Sequence, residues 1–425
     1  MTASLIMLIV FLVGIALSIP IAACLGIASA VALSYDNIPL LILAQRMFKS
    51  IYSYPLMAVL FFMFAGEIMC QGTMTKKLIA FFQAVIGHIH GGLAIAGGLS
   101  AAFFSAISGS SAATCASIGT VMIGEMEKRG YPKDYAAAVI ASAGITGIVI
   151  PPSITLVIYG VVTGTSVGKL FVAGIIPGLF LSITMCMLSY YLCRKKGYGE
   201  RGKFSFRFVL VSIKKSILVL LMPVIILGGI YGGIFTPTEA SVVSAVYAFI
   251  ITGLVDRSLN WKIIMDISIK TVINASVVLF IMQTADVFSW VLTNARVPHM
   301  IGEMCANFSD SKIVFLMLFN IVLLISGCLL NGAAIVAILA PILAPVAITY
   351  GIDPIFLGAL MVVNLAIGYI TPPLGVDLYI AGTIAKLSVD SVIRRIIPYL
   401  IILLVDLLII TYLPAMTMWL PNMMK

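Results

Sequence analysis

The sequence repeats one unusual pattern at a fixed distance along the chain. A Pro-Pro pair interrupts an apolar stretch at Pro151 and again at Pro372, an offset of 372 − 151 = 221 residues. The same offset relates Gly147 to Gly368. Two adjacent prolines remove two N–H donors and cannot continue a helix. The pattern therefore predicts two similar halves, each containing a broken helix, an arrangement typical of secondary transporters.

A short polar segment precedes each Pro-Pro pair inside an otherwise hydrophobic stretch. It reads SGSSAAT over 108–114 and LNGAA over 330–334. For one segment alone, a patch of small residues that packs helices is an equal alternative. Two segments, each followed about 40 residues later by Pro-Pro, favour the tips of re-entrant hairpins, whose non-helical backbone needs cover from protein or a water-filled cavity. The predicted arms are Gly91–Ser105 and Ala112–Met126, then Val314–Leu330 and Ala333–Ala347.

The composition identifies a membrane protein. Hydrophobic residues make up 62% of the chain, charged residues only 10%, and the mean hydropathy is +1.18. The apolar runs are continuous rather than alternating, which favours helices over a closed barrel. We therefore expect an all-α polytopic membrane protein with about a dozen helical elements. The start of the chain is predicted to be a first membrane helix, because it lacks the basic segment of a cleaved signal peptide.

The repeat divides the chain into two halves and a connector. The halves are predicted to be inverted relative to each other, as alternating access by symmetry exchange requires. In each half, plain helices would form a scaffold, and the hairpin with its broken helix would form a moving transport core. The predicted boundaries are repeat one at 1–193 (scaffold 1–72, core 91–165), the connector at 194–215, and repeat two at 216–425 (scaffold 216–255, core 312–386).

The connector carries eight basic residues. Because basic loops stay in the cytoplasm, we expect the connector on the cytoplasmic side. The net charge of +9 is therefore not a sign of a nucleic-acid partner. Phe204–Ile213 suits either a helix on the membrane surface or a simple charged loop. The eight basic residues are Arg194, Lys195, Lys196, Arg201, Lys203, Arg207, Lys214 and Lys215.

A broken helix offers two kinds of binding group. Carbonyls freed before each Pro-Pro pair carry partial negative charge, which suits a small hard cation such as Na⁺. The helix that restarts beyond the break presents N–H groups to an anion such as a carboxylate. The sequence therefore predicts a site that binds a cation and an anion together.

Isolated acidic residues within apolar stretches are further candidates. Asp377 lies four residues beyond Pro373 and either contributes to the site or balances a helix N-terminus. Glu67 and Asp286 lie at corresponding places in the two halves, where structural pairing is the favoured interpretation. The sequence contains no cluster of His, Asp, Glu or Cys that would supply a nucleophile, a base or metal ligands, so it does not suggest an enzyme.

These residues together resemble the large membrane subunit of tripartite ATP-independent periplasmic (TRAP) transporters. The resemblance covers essentially the whole chain and rests on SGSSAATCASIG, GITGIVIPPS, the basic connector, the LNGAA tip and IGYITPPLGV. It implies sodium-coupled import of a carboxylate by an elevator mechanism across the bacterial inner membrane. It also implies a small, roughly four-helix membrane subunit, separate or fused upstream, and a soluble periplasmic binding protein.

The resemblance also assigns residues by position. At least two sodium ions would bind at two sets of groups, many of them backbone carbonyls: Ser108, Ser110, Gly147, Val149 and Pro151, then Asn331, Gly368, Thr371 and Pro373. The residues expected on the substrate side are Ser111, Ser153, Thr155 and Asp377.

The substrate is the least determined feature. The overall likeness favours a sialic acid, with a C4-dicarboxylate as the main competitor, and no single residue decides between them. The alternative function is a stand-alone sodium–dicarboxylate symporter of similar two-hairpin architecture, which needs no binding protein. A channel would show neither concentrative uptake nor stabilisation by sodium.

Overall fold

The structure is a computed structural model that describes residues 2–71, 73–200, 202, 204–308 and 311–424. These residues form helices joined by short loops, and no strand occurs among them. The prediction of an all-α polytopic membrane protein is confirmed. Within this part of the chain, eight helices are long and apolar enough to cross a membrane, or nine if the bent pair at the C-terminal end counts as one span.

Among the described residues, the first half contains eleven α-helices. Two short helices and an amphipathic helix precede the scaffold helix α4, and hairpin one is formed by α6 and α7. The helices are α1 (Ala3–Ala16), α2 (Ile21–Tyr35), α3 (Leu41–Ile51), α4 (Met57–Gln71), α5 (Met74–Ile86), α6 (Gly92–Ser108), α7 (Ser111–Lys128), α8 (Lys133–Gly144), α9 (Thr146–Val149), α10 (Ile154–Thr163) and α11 (Val167–Lys196).

The described part of the second half contains ten α-helices. Hairpin two is formed by α16 and α17, and the second broken helix by α18 and α19. The helices are α12 (Phe206–Tyr231), α13 (Pro237–Ile250), α14 (Trp261–Asn294), α15 (Val297–Phe308), α16 (Lys312–Leu329), α17 (Gly332–Thr349), α18 (Pro354–Gly368), α19 (Val376–Ala385), α20 (Val389–Tyr412) and α21 (Ala415–Met423).

The two hairpins open on opposite faces of the protein, as inverted repeats require. The connector contacts the open end of hairpin one, where the Gly202 N–H donates to the Gly87 carbonyl at 3.0 Å. On α20, Arg395 bonds Tyr198 of this connector region, and Tyr412 bonds Ile313 at the open end of hairpin two. Those α20 residues lie 412 − 395 = 17 positions apart, about 25 Å along a helix.

Both Pro-Pro pairs interrupt a helix, as predicted. We call residues 150–153 the first break and residues 369–375 the second break. The first break is fully buried, whereas Pro373 in the second is exposed. The helix after the second break begins at Val376, so Asp377 lies in its first turn.

The connector differs in detail from the sequence-based interpretation. Arg194, Lys195 and Lys196 form the last turn of α11, and α12 begins at Phe206. Residues 206–213 are thus the first turns of a long membrane helix rather than a separate surface helix, because the apolar stretch that follows continues them without a break. Arg201 and Lys203 lie outside the described residues.

Candidate functional site

The first tip, residues 108–111, is a two-residue turn between α6 and α7. Gly109 has φ +61°, and a side chain there would approach the Pro152 carbonyl to 2.8 Å. The Ser110 hydroxyl caps α7 by accepting from the Ala113 N–H at 3.4 Å. The Ser108 and Thr114 hydroxyls are 3.0 Å apart. Glycine is therefore needed at the turn, and the serines around it organise the start of the second arm.

The first tip lies directly against the first break. The Ile154 N–H donates to the Gly109 carbonyl at 3.3 Å. A Cβ on Gly147 would lie 2.4 Å from the Ser110 carbonyl oxygen. The structure thus brings together Ser108, Ser110 and Gly147 of the first predicted cation set.

The other two members of that set face a different neighbour. A Cβ on Gly174 of α11 would lie 2.5 Å from the Val149 carbonyl oxygen and 3.7 Å from Pro151 Cδ. The freed carbonyl of Ile148 accepts a hydrogen bond from the Ser153 hydroxyl, which also caps α10. Val149 and Pro151 therefore pack towards α11, and Ser153 is engaged in holding the break.

The second tip, residues 330–332, is more open than the first. Asn331 is exposed, and its side-chain oxygen caps α17 by accepting from the Ala333 N–H at 2.8 Å. The Gly332 N–H donates to the Tyr369 hydroxyl at 2.7 Å. This bond ties the second tip to the second break.

The remaining members of the second cation set lie along the second break. A Cβ on Gly368 would lie 2.6 Å from the Gly327 carbonyl carbon of hairpin two, so the two backbones touch. The Thr371 N–H donates to the Gly368 carbonyl at 3.0 Å, and its hydroxyl donates to Ile367. Pro373 is exposed and lies beyond this turn. Gly368 and Thr371 are therefore adjacent, whereas Pro373 points out of the packed region.

Asp377 connects the two halves of the core. It is fully buried, and its Oδ2 accepts a hydrogen bond from the Ser111 hydroxyl of α7. Its Oδ1 has no hydrogen-bond partner among the described residues. A buried carboxylate oxygen without a partner is costly, so this atom has unused capacity for a cation or a donor.

A cavity of about 480 Å³ lies between the predicted transport core and the predicted scaffold, and we call it the tip cavity. Both tips reach it, through Ser108, Ser110 and Asn331, while Glu67 and Asn274 approach from the scaffold. Glu67 is the one ionisable side chain among its described lining residues. The full lining is Met63, Gly66, Glu67, Ser108, Ser110, Ala112, Ala113, Ala116, Asn274, Val277, Val278, Asn331 and Ile380.

The residues expected on the substrate side do not line the tip cavity. Ser111 and Asp377 bond each other behind the first tip, and Ser153 and Thr155 are buried at the start of α10. Sequence reasoning also missed Asn274, since a single Asn within a long apolar helix gives no signal.

Glu67 and Asp286, which lie at corresponding places in the two halves, have different environments. Asp286 forms the expected structural ion pair, with its Oδ2 3.3 Å from Arg46 Nη1. Glu67 forms no such ion pair within the described part of the chain and is half-buried at the wall of the tip cavity. Glu67 therefore lines the tip cavity, and the structural pairing favoured from the sequence is seen for Asp286 alone of these two residues.

Comparisons with known proteins agree with this architecture. Residues 8–416 match the family described as tripartite ATP-independent periplasmic transporter, DctM component. The chain is 42% identical over 380 residues to the C4-dicarboxylate TRAP transporter large permease protein DctM of Pseudomonas aeruginosa, covering 89% of each chain. It is 37% identical, with the same coverage, to the sialic acid TRAP transporter large permease protein SiaM of Vibrio cholerae.

A solved structure shares the fold. The crystal structure of the Alcanivorax borkumensis YdaH transporter superposes with a TM-score of 0.65 and covers 97% of this chain and 98% of the other. At 15% sequence identity, this likeness shows the fold alone.

Proposed function

The chain belongs to the DctM component family of tripartite ATP-independent periplasmic transporters, and from that premise we propose that it imports a carboxylate substrate in symport with sodium. It is a multi-pass transporter permease and not an enzyme. The observation that carries the proposal is the convergence of two hairpin tips, from opposite faces, on one cavity beside two broken helices.

The chemistry of the tips supports sodium as the coupled ion. Na⁺ is a hard cation that binds oxygen ligands, and the first tip supplies hydroxyls of Ser108 and Ser110 with the Ser110 carbonyl beside Gly147. The second tip supplies the Asn331 side-chain oxygen near the turn at Gly368 and Thr371. The Asp377 carboxylate is bonded to the first tip through Ser111 and leaves its Oδ1 without a partner. Two cation sites, one at each tip, are the simplest arrangement.

The walls of the tip cavity support an elevator mechanism. One wall is formed by α4 of the predicted scaffold and by α14, which packs against α2, α3 and α4 and which we therefore add to the scaffold. The other wall is core, from α7, α19 and the two tips. Within the core, each tip is hydrogen-bonded to a break, through Gly109 with Ile154 and through Gly332 with Tyr369. A core that is bonded internally and meets the scaffold across a cavity suits rigid sliding of one body past the other.

For the substrate, we place a C4-dicarboxylate first and a sialic acid second. The sequence alone favoured the sialic acid, but identity to the dicarboxylate relative is higher, at 42% against 37% over the same 89% of the chain. Both relatives carry acids, so the class of substrate does not depend on this order.

The family description, a tripartite transporter, supports two protein partners. We propose a small membrane subunit and a soluble periplasmic binding protein that delivers the substrate, with the complex in the bacterial inner membrane. A stand-alone symporter would share the cavity and the tips but would accept free substrate.

Reconstitution tests the proposal and separates these alternatives. The chain and its small subunit are placed in vesicles, and uptake of labelled succinate or N-acetylneuraminate is measured with an inward sodium gradient or an equal potassium gradient. We expect uptake only with sodium and only with the cognate binding protein. Sodium-driven uptake of free substrate would identify the stand-alone symporter, and sodium-independent flux would contradict the proposal.

A further inference from the structure

A second cavity, of about 350 Å³, lies between scaffold and core away from the tips, and we call it the side cavity. Its scaffold wall carries Arg46 and Lys49 of α3 and Asp286 of α14. Its core wall includes Ala337 and Pro341 of α17, which lie between the second tip and the open end of hairpin two. The side cavity is therefore displaced from the tip cavity towards the face on which hairpin two opens.

The two cavities differ in charge. The side cavity has two cations and one carboxylate, whereas the ionisable side chain that lines the tip cavity is the carboxylate of Glu67. Arg46 is held in place by Asp286 at 3.3 Å and by the ring of Trp290, 5.0 Å from its guanidinium carbon. A guanidinium has five N–H donors in a planar fork, so one monodentate ion pair leaves donors for a second carboxylate.

The distance between the two cavities follows from the spacing of their lining residues along α14 and α17. On the scaffold, Asn274 lines the tip cavity and Asp286 the side cavity, and their separation of 286 − 274 = 12 residues spans about 18 Å of α14. On the core, Gly332 at the second tip and Pro341 are 341 − 332 = 9 residues apart, about 14 Å along α17. One slide of similar length, towards the open end of hairpin two, would move the second tip to the side cavity.

We propose that Arg46 and Lys49 form the carboxylate-receiving position on the scaffold when the core occupies the other end of its travel. This inference rests on the proposed function and names the residues that meet the substrate on the face opposite the connector. In that position the tips would bring cation sites to a cavity with net positive charge, which favours loading of an anion. When the core slides back to the position described here, the same tips lie opposite Glu67, whose negative charge favours release of the anion.

Charge variants test the proposal in reconstituted vesicles. We compare Arg46→Gln, Lys49→Gln and Asp286→Asn by initial rates of sodium-driven uptake against the concentration of succinate-loaded binding protein. Loss of a charged hydrogen bond to substrate predicts a KM at least tenfold higher for Arg46→Gln and a smaller rise for Lys49→Gln. Asp286→Asn should leave KM unchanged or lower it. This variant keeps both cations and removes the carboxylate that competes with the substrate for Arg46.

The control is a matched ion pair away from both cavities. Arg395 Nε lies 2.7 Å from Asp134 Oδ2, near the connector, and Arg395→Gln should leave KM unchanged. If Arg46 only holds the scaffold together, Arg46→Gln and Asp286→Asn would impair uptake equally, and the proposal would be overturned. Absence of uptake by the wild type contradicts the proposed function itself, whereas normal KM in both cation variants contradicts only this inference.

A distance measurement tests the slide without relying on uptake. Ser53 lines the side cavity with Pro341, so a Ser53→Cys/Pro341→Cys pair should cross-link in the state described. After the slide, a residue nearer the tip takes that place, and a Ser53→Cys/Ala333→Cys pair should cross-link instead, with each single cysteine variant as control. Failure of the Ala333 pair to cross-link under every combination of sodium and succinate would overturn the inference.

Discussion

The hydroxyl of Ser111 donates a hydrogen bond to the carboxylate of Asp377, although the two residues belong to opposite halves of the chain. The N–H of Asp377 donates to the Tyr369 carbonyl at 3.1 Å, and the Tyr369 hydroxyl accepts from the Gly332 N–H at 2.7 Å. These bonds form a path from the first tip through the second break to the second tip. The spacing of the two tips is thus fixed by polar contacts inside the core.

Asp377→Asn should impair transport more than Glu67→Gln. The first variant changes a buried carboxylate that the first tip bonds through Ser111, whereas Glu67 lies on the scaffold wall of the cavity. A hydrogen bond to a buried charged group contributes about 1.5–3 kcal/mol, so sodium-driven uptake should fall at least tenfold. Uptake rates of the two variants, normalised to the amount of folded protein, check this ranking. A larger defect in Glu67→Gln would show that transport depends more on the acid at the cavity wall than on Asp377.

Gly147→Ala should abolish stabilisation by sodium while leaving the protein folded. A Cβ at this position would lie 2.4 Å from the Ser110 carbonyl oxygen, so the first tip must move away from the first break. A ligand that binds only the native state raises the melting temperature, and the displaced tip should lose that rise. The measurement is thermal unfolding in NaCl against KCl at equal ionic strength.

The matched control for this variant is Gly124→Ala on α7 of hairpin one. No heavy atom lies within 4 Å of a Cβ placed on Gly124, so this change should retain the sodium-dependent rise. Equal responses to sodium in Gly147→Ala and in the wild type would place the first cation site elsewhere.

Much of the fold could be predicted because the membrane restricts what a chain can do. Two Pro-Pro pairs and two polar tips, each in an apolar stretch, are incompatible with continuous helices, and the tips occur within three residues of the predicted turns. The exceptions involve helices that continue through a charged segment. The mixed polarity of residues 206–213 suits a surface helix or a charged loop. The apolar residues that follow continue this segment into one long helix, α12.

The candidate site was less predictable, because its composition depends on which helix faces the tips. Nothing in the sequence places Asn274 of α14 opposite Asn331, since the two residues meet only when scaffold and core pack together. Ser153 and Asp377 were correctly identified as special, yet the structure uses them to hold the break and join the halves. A polar residue beside a broken helix can serve the backbone or a ligand, and spacing does not distinguish the two.

Asn331→Ala should reduce the cooperativity of sodium dependence. Asn331 supplies a side-chain oxygen at the second tip and caps α17, and loss of the cap alone costs about 1 kcal/mol. With one of two cation sites lost, the Hill coefficient for sodium should fall from near two to about one, as measured by uptake rate against sodium concentration. Asn274→Ala, which changes the scaffold wall of the same cavity, should keep the wild-type value. A fall in both variants would mean that cavity shape, and not a tip ligand, sets the cooperativity.

Asn320→Ala should destabilise hairpin two without altering the sodium response. The Asn320 side chain accepts from Asn364 of α18 at 2.9 Å and donates to the Thr411 hydroxyl of α20 at 2.9 Å, all within the buried core. Removing it leaves two buried polar groups with one partner fewer, at a cost of about 1–3 kcal/mol. Thermal unfolding in detergent should show a lower midpoint, with the rise from KCl to NaCl preserved. Ser326→Ala is the control, because its exposed hydroxyl bonds only the Val322 carbonyl of its own helix, and its midpoint should match the wild type. An unchanged midpoint in Asn320→Ala would show that hairpin two is held to the core by its apolar contacts alone.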